Sequence, residues 1–279
     1  VKRSAMPAAS EVAPTRWRLY EHCVQNIPMT LRMVEAMHAA GSRAAPRTLH
    51  EDFSGSAAFA HAWCQSNPKR SALAIDMDPE AHADGTPHPR LKRFTADLSR
   101  LPRTTPAPSK ADVIYAGNFA TCELHTRDAL VAYLTRARQR LAPGGVFVCD
   151  LYAGPGAWRA GSTRVIHPPL PELPKFRVAY TWRQREADLI NGLVANAIDF
   201  ELLNSRGVAV HELVNAFDYH WRLWSISEMR DAMAHAGFGE VDVYPDSPEA
   251  IDADGVAYLT PMDFLETKAS AVVYVCARK

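Results

Sequence analysis

The chain of 279 residues has few cysteines and no paired ones. Its five cysteines, Cys23, Cys64, Cys122, Cys149 and Cys276, include no C-x-x-C motif. Their odd number and wide spacing argue against a disulfide framework and against a zinc site. The eleven histidines form no H-E-x-x-H motif or similarly spaced cluster. The sequence therefore predicts no metal site.

An excess of charge and a long apolar run are also missing. The 31 Lys and Arg residues balance 31 Asp and Glu residues, so there is no general electrostatic attraction to nucleic acid. The apolar runs have strand length, far below the roughly 20 residues that span a bilayer, and the N-terminus has no apolar signal segment. We expect a soluble, cytoplasmic protein with a small-molecule or protein substrate, without nucleic-acid or membrane partners. A homo-oligomer is compatible with the sequence.

Glycine is scarce in the one turn where a dinucleotide site would need it. Residues 48–57, TLHEDFSGSA, have the pattern of a strand, a tight turn and the start of a helix. A dinucleotide site uses three glycines there, so that a pyrophosphate can reach exposed backbone amides. This turn has Gly55 alone, and the acidic pair Glu51 and Asp52 would repel phosphates. A nucleoside cofactor with a cationic amino-acid end suits the turn better. Asp76 ends the next apolar strand, where a carboxylate can hold ribose hydroxyls.

The same turn resembles motif I of the class I S-adenosylmethionine-dependent methyltransferases. Residues 50–56, HEDFSGS, place Glu51 at the family's acidic position, whereas Phe53 and Ala57 stand where the family usually has small residues. Further segments that resemble the family follow in its order at 72–76, 94–98, 111–119 and 141–150. Five ordered matches over residues 46–150 identify the chain as similar to this family, of the small-molecule type.

The resemblance implies an α/β fold with a doubly wound, mostly parallel seven-stranded sheet and S-adenosyl-L-methionine as the cofactor. By position, Asp76 would accept from the ribose, Asp97 with Leu98 would meet the adenine, and Asn118 with Phe119 would face the sulfonium. For Asp97, capping of a turn or helix is the alternative. The full set of expected cofactor contacts is Tyr20, Glu51, Asp52, Phe53, Gly55, Ser56, Asp76, Met77, Asp97, Leu98, Asn118 and Phe119.

The sequence divides into five segments. Residues 1–15 mix Ala, Pro and Ser without periodicity and are expected to be a flexible tail, and residues 16–45 are expected to be an N-terminal helical lid. Tyr20 and Gln25 could contact the cofactor from this lid, or simply pack its helices. Residues 46–150 form the predicted cofactor-binding core. Residues 151–222 are predicted to be an antiparallel β insertion after the fifth strand, over the active site. Residues 223–279 would add the last helix and a C-terminal strand hairpin.

The insertion is predicted from three strand patterns without intervening helices, at 176–182, 192–203 and 208–221. A proline-rich tract at 168–174 precedes them. Because proline at this density continues neither a helix nor a central strand, we expect an extended surface link. The helix after the insertion is expected at 227–237, with Ser227 as its N-cap.

Aromatic and basic residues gather at the end of the insertion, in residues 219–224, YHWRLW. Neighbouring strand residues face opposite sides, so His220 and Arg222 would share one face, and Tyr219 and Trp221 the other. His220, with a reference pKa of about 6.5, could take a proton from an amine or hydroxyl. The competing interpretation is a structural histidine beside a core tryptophan. The catalytic candidates are His220, Tyr152 and Tyr115, and the substrate-binding candidates are Trp221, Arg222 and Tyr258.

The sequence therefore predicts an S-adenosylmethionine-dependent methyltransferase that acts on a nitrogen or oxygen of a small molecule. Methyl transfer from a sulfonium mainly needs alignment of the reactants and exclusion of water. The absence of a nucleophile motif does not count against it. A protein methyltransferase and a cofactor-binding, non-catalytic subunit are the alternatives. The missing glycines disfavour a nicotinamide-dependent oxidoreductase.

Overall fold

A computed structural model describes residues 13–42, 44–100, 110–266 and 270–279. The predicted tail therefore lies outside the described residues as far as residue 12. The helices of the described residues are α1 (Arg16–Cys23), α2 (Ile27–Ala39), α3 (Ala58–Ser66), α4 (Pro79–Asp84), α5 (Arg127–Arg140) and α6 (Ile226–His235). The strands are β1 (Thr48–Asp52), β2 (Ser71–Asp76), β3 (Leu91–Thr95), β4 (Ala111–Ala116), β5 (Leu141–Ala153), β6 (Gly161–His167), β7 (Arg177–Asp188), β8 (Leu193–Leu203), β9 (Ala209–Arg222), β10 (Val241–Pro245), β11 (Ala250–Ile251), β12 (Ala257–Tyr258) and β13 (Ala271–Arg278).

The main sheet of the described residues has seven strands in the order β10-β13-β5-β4-β1-β2-β3. Strands β1 to β5 pair in parallel, whereas β13 runs antiparallel to both β5 and β10. The predicted mostly parallel sheet, closed by a C-terminal antiparallel pair, is confirmed. The strand order reverses direction between β1 and β4, which places the carboxyl ends of these strands at a crevice suited to ligands.

Both faces of this sheet are covered by helices. In β4, Val113 packs with side chains of α2 and α3, whereas Ile114 packs with side chains of α5 and α6. Strands that are buried on both faces consist of nearly continuous apolar runs. This burial explains why β2 and β4 were recognisable in the sequence, and it confirms the doubly wound arrangement.

The predicted antiparallel insertion is a separate four-stranded layer in the order β6-β7-β8-β9, between β5 and α6. Three of its strands match the sequence prediction, with β7 longer than expected and β9 displaced by one residue. Strand β6 was missed. It is an edge strand whose residues are almost all exposed, so it carries no alternating apolar pattern.

Two local predictions need correction. The proline-rich tract at 168–174 is exposed at four of its seven residues, as expected of a surface link, but it turns rather than running extended, and Leu170 and Leu173 are buried against Leu19 of α1. The helix after the insertion begins at Ile226, with Ser225 as its N-cap rather than Ser227. Ser225 accepts the backbone N–H of Glu228, and the Glu228 carboxylate accepts the backbone N–H of Ser225. This reciprocal capping box fixes the start of the helix two residues earlier.

Within the described residues, no helix is both long enough and apolar enough to cross a membrane.

Candidate active site

A cavity of about 530 Å³ opens at the carboxyl ends of β1, β2 and β4. It lies where the reversal of strand order leaves a crevice in the sheet. Gln25, a predicted lid residue, is part of its wall. Eight of the twelve expected cofactor contacts also line it, namely Tyr20, Phe53, Gly55, Ser56, Asp76, Met77, Asp97 and Asn118. We call this space the cofactor cavity.

Asp76 is part of the cofactor cavity wall. One carboxylate oxygen accepts the backbone N–H of Gly55 at 2.7 Å, and the other accepts that of Asp78 at 2.9 Å. A carboxylate has about four lone-pair sites, so each oxygen keeps room for a hydroxyl donor. The two backbone bonds fix the orientation of the side chain.

Gly55 makes the adjoining turn possible for two reasons. Its φ of +54° lies in the left-handed region, which strains other residues. A Cβ at this position would also lie 2.7 Å from a ring carbon of Trp17. The close approach of α1 to the turn therefore depends on this glycine.

Helix α1 lies across the cofactor cavity. Its Trp17 ring packs on Phe217 of β9, with centroids 4.9 Å apart. Glu21 accepts the Ser56 hydroxyl at 2.5 Å, and Arg16 is paired with Asp78 at 2.7 Å. The Nε1 of Trp17 is buried without a partner. The helix thus joins the cofactor turn to the inserted layer.

Glu51 and Asp52 do not line the cavity, and the structure corrects their expected contact with the cofactor. Both lie on β1 and point to opposite faces of the sheet. Glu51 accepts the backbone N–H of Ala60 at 2.8 Å in the first turn of α3, and burial raises its pKa to about 8. Asp52 forms a buried, bidentate ion pair with Arg140 of α5 and accepts the Tyr133 hydroxyl at 2.8 Å.

The two residues expected at the adenine differ in placement. Asp97 lines the cofactor cavity, while one of its oxygens accepts the backbone N–H and the hydroxyl of Ser99 at 2.9 and 2.6 Å. The turn-capping alternative is thus present together with the cavity position. Leu98 is buried in the core on the α5 side of the sheet, so its side chain does not reach the cavity.

A second cavity, of about 490 Å³, adjoins the first. We call it the aromatic cavity. The two cavities share Tyr20, Gln25, Asn118, Tyr219 and Trp221. A common wall places ligands of the two cavities next to each other. The aromatic residues that line the second cavity are Tyr20, Phe59, Tyr115, Phe119, Tyr152, Tyr180, Trp182, Tyr219, Trp221 and Tyr274.

Asp150 of β5 holds the loop between the two cavities. Its two oxygens accept the backbone N–H groups of Asn118 and Phe119, at 2.9 and 2.7 Å. Both residues have left-handed φ values, +58° and +61°, a conformation that costs roughly 1–2 kcal/mol per residue outside glycine. The carboxylate supports this strained pair and turns Phe119 into the aromatic cavity. Burial raises the pKa of Asp150 to about 6, against the lowering effect of the backbone N–H groups.

Sequence reasoning missed Asp150 and Glu123. Glu123 lines the cofactor cavity, accepts the indole N–H of Trp221 at 2.7 Å and has a pKa raised by burial. For Asp150 a signal existed, since it is an acidic residue within the otherwise apolar run VFVCDLY. Glu123 follows β4 in a short 3-10 turn, and nothing in its local pattern separates it from a surface residue.

Of the six residues predicted to act on or bind the substrate, three line a cavity and three do not. Trp221 lines both cavities, and Tyr115 and Tyr152 line the aromatic cavity. His220 is exposed on the opposite face of β9, where its carbonyl accepts Nε2–H of His125 at 2.6 Å. The prediction of His220 as a base is therefore not supported, since its side chain is directed away from both cavities.

Arg222 and Tyr258 also lie outside both cavities. Arg222 is stacked over the Trp224 ring at 4.0 Å and donates to the carbonyl of His125 at 3.2 Å. Tyr258 is 54% exposed, and its hydroxyl donates to Asp252 at 3.0 Å. Their expected substrate contacts are corrected by these placements. Among the described residues, no group of three His, Cys, Asp or Glu side chains is arranged to hold a metal ion.

Neither a protein-family model nor a curated protein sequence matches the chain. Solved structures with the same fold do. An S-adenosylmethionine-dependent methyltransferase from Clostridium acetobutylicum superposes with a TM-score of 0.64 at 14% identity, over 93% of this chain and 96% of that one.

Two more similar structures are methyltransferases with sugar-related descriptions. CalS10 from Micromonospora echinaspora, an amino pentose methyltransferase solved with S-adenosylmethionine bound, has a TM-score of 0.62 at 15% identity, over 94% and 95% of the two chains. KedS8 from Streptoalloteichus sp., a sugar N-methyltransferase, has a TM-score of 0.62 at 13% identity, over 100% and 99%. The predicted fold is confirmed, and the chain has the fold of S-adenosylmethionine-dependent methyltransferases.

Proposed function

We propose that the chain is an S-adenosylmethionine-dependent methyltransferase that methylates a nitrogen atom of a small molecule. The observation that carries this proposal is the common wall of the two cavities. A cofactor held by Asp76 and the Gly55 turn would have its reactive end beside Asn118, where the aromatic cavity begins. The descriptions of the similar structures, which include a sugar N-methyltransferase, favour nitrogen over oxygen.

The residues of the cofactor cavity fit the chemical groups of this cofactor. Asp76 offers two fixed acceptor oxygens for a ribose, and Asp97 lies in the wall where an adenine amino group would find an acceptor. Gln25 has a buried carbonyl oxygen without a partner, which could accept from an ammonium group. When bound, the cofactor supplies a methyl group on a sulfonium, whose C–S electron pair stays on sulfur as the acceptor's lone pair forms the new bond.

The protein's part is alignment and exclusion of water. Asn118 and Phe119 are held by Asp150 at the junction of the cavities, so they limit where an acceptor can approach. Trp17 and Tyr20 of α1 close the cofactor cavity from the other side. Such positioning supplies much of the rate enhancement in reactions whose leaving group is already good.

A small molecule suits the aromatic cavity better than a protein segment. Its volume of about 490 Å³ lies within the roughly 300–1,000 Å³ of small-molecule sites. Protein methylation is the second candidate, and a non-catalytic cofactor-binding subunit is the third. Transfer of a labelled methyl group to small molecules, to peptides or to neither distinguishes the three candidates.

The test begins with calorimetric titration of the full chain with S-adenosylhomocysteine and, separately, with NAD. We expect binding and thermal stabilisation with S-adenosylhomocysteine alone, by about 2.7 kcal/mol at a hundredfold excess over Kd. The acceptor is then sought by mass spectrometry, with methyl-deuterated cofactor and matched panels of small amines, small alcohols and peptides. Stabilisation by NAD but not by S-adenosylhomocysteine would refute the proposal. Methyl label found in peptides alone would favour a protein methyltransferase. Cofactor binding without any methyl transfer would favour a non-catalytic cofactor-binding subunit.

A further inference from the structure

The aromatic cavity has a single charged residue in its wall. Of the twenty described residues that line it, ten are aromatic, Asp150 is the one acid, and none is Lys, Arg or His. Burial raises the pKa of Tyr180 and Tyr274 to about 12, so these two phenols are neutral near pH 7. An anionic ligand would find no cationic partner among these residues. A cationic ligand would find a carboxylate.

Asp150 still has capacity for a ligand. Each oxygen accepts one backbone N–H, from Asn118 and from Phe119, and a carboxylate offers about four lone-pair sites. Its side chain belongs to the cavity wall although the residue is only 7% exposed. A buried charge without a counter-charge is costly, and the two amide dipoles offset part of that cost. A ligand cation would supply the missing partner.

The aromatic faces that line the same cavity as Asp150 are not occupied by Arg side chains of the described residues. Trp182 and Trp221 pack with centroids 5.8 Å apart, and Phe119 lies 5.9 Å from Trp221. The Arg–ring contacts found among the described residues involve other rings: Trp17, Trp63, Phe217 and Trp224. The two arginines that follow Trp182 in β7 are engaged by acids, with Arg183 paired to Asp199 and Arg185 to Asp218. Among the described residues no protein cation covers Trp182 or Trp221. Tyr219 packs on one side of Trp221, with centroids 4.3 Å apart, so the side of each indole that lines the cavity is the one offered to a ligand cation.

We propose that the aromatic cavity selects a basic amine as methyl acceptor and binds it as an ammonium, between the Asp150 carboxylate and the faces of Trp182 and Trp221. Anionic acceptors and neutral alcohols of the same shape bind more weakly. This inference rests on the proposed function and narrows it to one charge class of substrate. Before transfer the ammonium gives one proton to solvent, which frees the lone pair that forms the new N–C bond.

The test uses three probes of similar shape: 2-phenylethylamine, 2-phenylethanol and 3-phenylpropanoate. Each is titrated at pH 7.5 into the full chain saturated with S-adenosylhomocysteine, and tryptophan fluorescence and calorimetry report binding. We expect the amine to bind at least tenfold more tightly than the alcohol, and the carboxylate most weakly. Equal affinities, tighter binding of the carboxylate, or no amine binding at millimolar concentration would overturn the inference.

Variants locate the selectivity. Asp150→Asn should reduce the amine-to-alcohol preference to within about threefold, whereas Asp231→Asn on the exposed surface of α6 should preserve it. If Asp150→Asn does not fold, Trp182→Leu tests the same site, and it should lower amine affinity more than alcohol affinity. An unchanged preference in either folded variant contradicts the inference. Calorimetry of the parent chain with S-adenosylhomocysteine alone separates the two proposals. If the parent chain does not bind S-adenosylhomocysteine, the proposed function is refuted. If it binds S-adenosylhomocysteine but shows no preference for the amine, this inference alone is refuted.

Discussion

The two cavities share a wall but are built in different ways. The cofactor cavity is lined by six charged residues and takes half of its lining residues from the segments that follow β1, β2 and β4. The aromatic cavity has a single charged residue, and its wall extends from Tyr20 in α1 to Tyr274 in β13. One site is made by consecutive strand-end turns. The aromatic cavity is formed where the inserted layer packs against the sheet. Its lining residues can therefore change without any change in the turns of the cofactor cavity.

The two regions also differ in what holds them. Beneath the cofactor turn, the Asp52 carboxylate is fully buried with Arg140 and links β1 to α5. The inserted layer relies on ring packing, and its ion pairs, such as Arg164 with Glu201, are partly exposed. A buried charge loses far more when its partner is removed than an exposed one does. Removal of an ion pair should therefore destabilise the protein more beneath the cofactor turn than in the inserted layer.

The largest expected effect is that of Arg140→Met. The substitution leaves Asp52 buried with the Tyr133 hydroxyl and without a counter-charge, so the free energy of unfolding should fall by about 3–5 kcal/mol. The matched change in the inserted layer, Arg164→Met, should cost less than about 1 kcal/mol. Urea unfolding monitored by circular dichroism measures both. Equal losses would show that the two regions are not held differently.

The difference between the regions also explains what the sequence could predict. Gly55 and Asp76 were recognisable because a turn and a strand end are local patterns with fixed spacing. The error for Glu51 and Asp52 arose because the motif indicates an acidic turn but not the direction of each side chain. In the structure Glu51 is hydrogen-bonded to the backbone of α3, and Asp52 is paired with Arg140 of α5.

The aromatic cavity was less predictable because its residues meet through long-range packing. Alternation along β9 correctly separated Tyr219 and Trp221 from His220 and Arg222. It could not show which face would meet the sheet, since that depends on how the whole layer docks. Asp150 and Phe119 are 31 residues apart along the chain, and no short pattern connects them.

The second prediction tests the cofactor cavity with two carboxylates in matched settings. Asp76 and Asp112 each accept two backbone N–H groups, at 2.7 and 2.9 Å, but at opposite ends of the sheet. Asp76→Ala should weaken S-adenosylhomocysteine binding by about 2–4 kcal/mol, given roughly 1.5–3 for each charged hydrogen bond and incomplete additivity. Asp112→Ala should lose similar stability but bind normally. Calorimetry at a temperature where both variants are folded decides, and equal affinities would mean that Asp76 does not hold the ribose.

The third prediction concerns Glu51, whose pKa is raised to about 8 in the folded protein by burial. Between its ordinary pKa of about 4.3 and pH 8, the folded state binds a proton that the unfolded state releases. Stability attributable to this group is therefore present at low pH and is lost as the pH rises. Glu51→Gln keeps an acceptor for the Ala60 N–H and cannot ionise.

We expect Glu51→Gln to be close to the parent in stability near pH 5 and more stable at pH 9 by on the order of 4 kcal/mol, because each tenfold difference in proton affinity between the two states is worth about 1.36 kcal/mol. Glu80→Gln, at an exposed side chain, provides the control and should track the parent throughout. Thermal unfolding from pH 5 to 9 gives the comparison. A variant that is less stable at pH 9 would indicate that the carboxylate is ionised and stabilised in the fold. Affinity for S-adenosylhomocysteine should change less than about threefold at pH 7, since Glu51 does not line the cavity.

The smallest expected effect is that of His220→Ala, which opposes the role predicted from the sequence. His220 lies on the exposed face of β9, and alanine retains the backbone carbonyl that His125 binds. The variant loses the edge-on contact between the two imidazole rings, whose centroids are 5.1 Å apart. Surface changes of this kind usually alter stability by less than about 0.5 kcal/mol. Binding of S-adenosylhomocysteine and of 2-phenylethylamine, and methyl transfer to an amine acceptor, should stay within twofold of the parent.

Trp221→Leu, one residue along and on the cavity face, should weaken amine binding clearly. If His220→Ala instead lowered transfer about a hundredfold with both affinities intact, as removal of a general base would, the layer must rearrange on substrate binding to bring His220 inward, and the assignment of the two faces would have to be reversed.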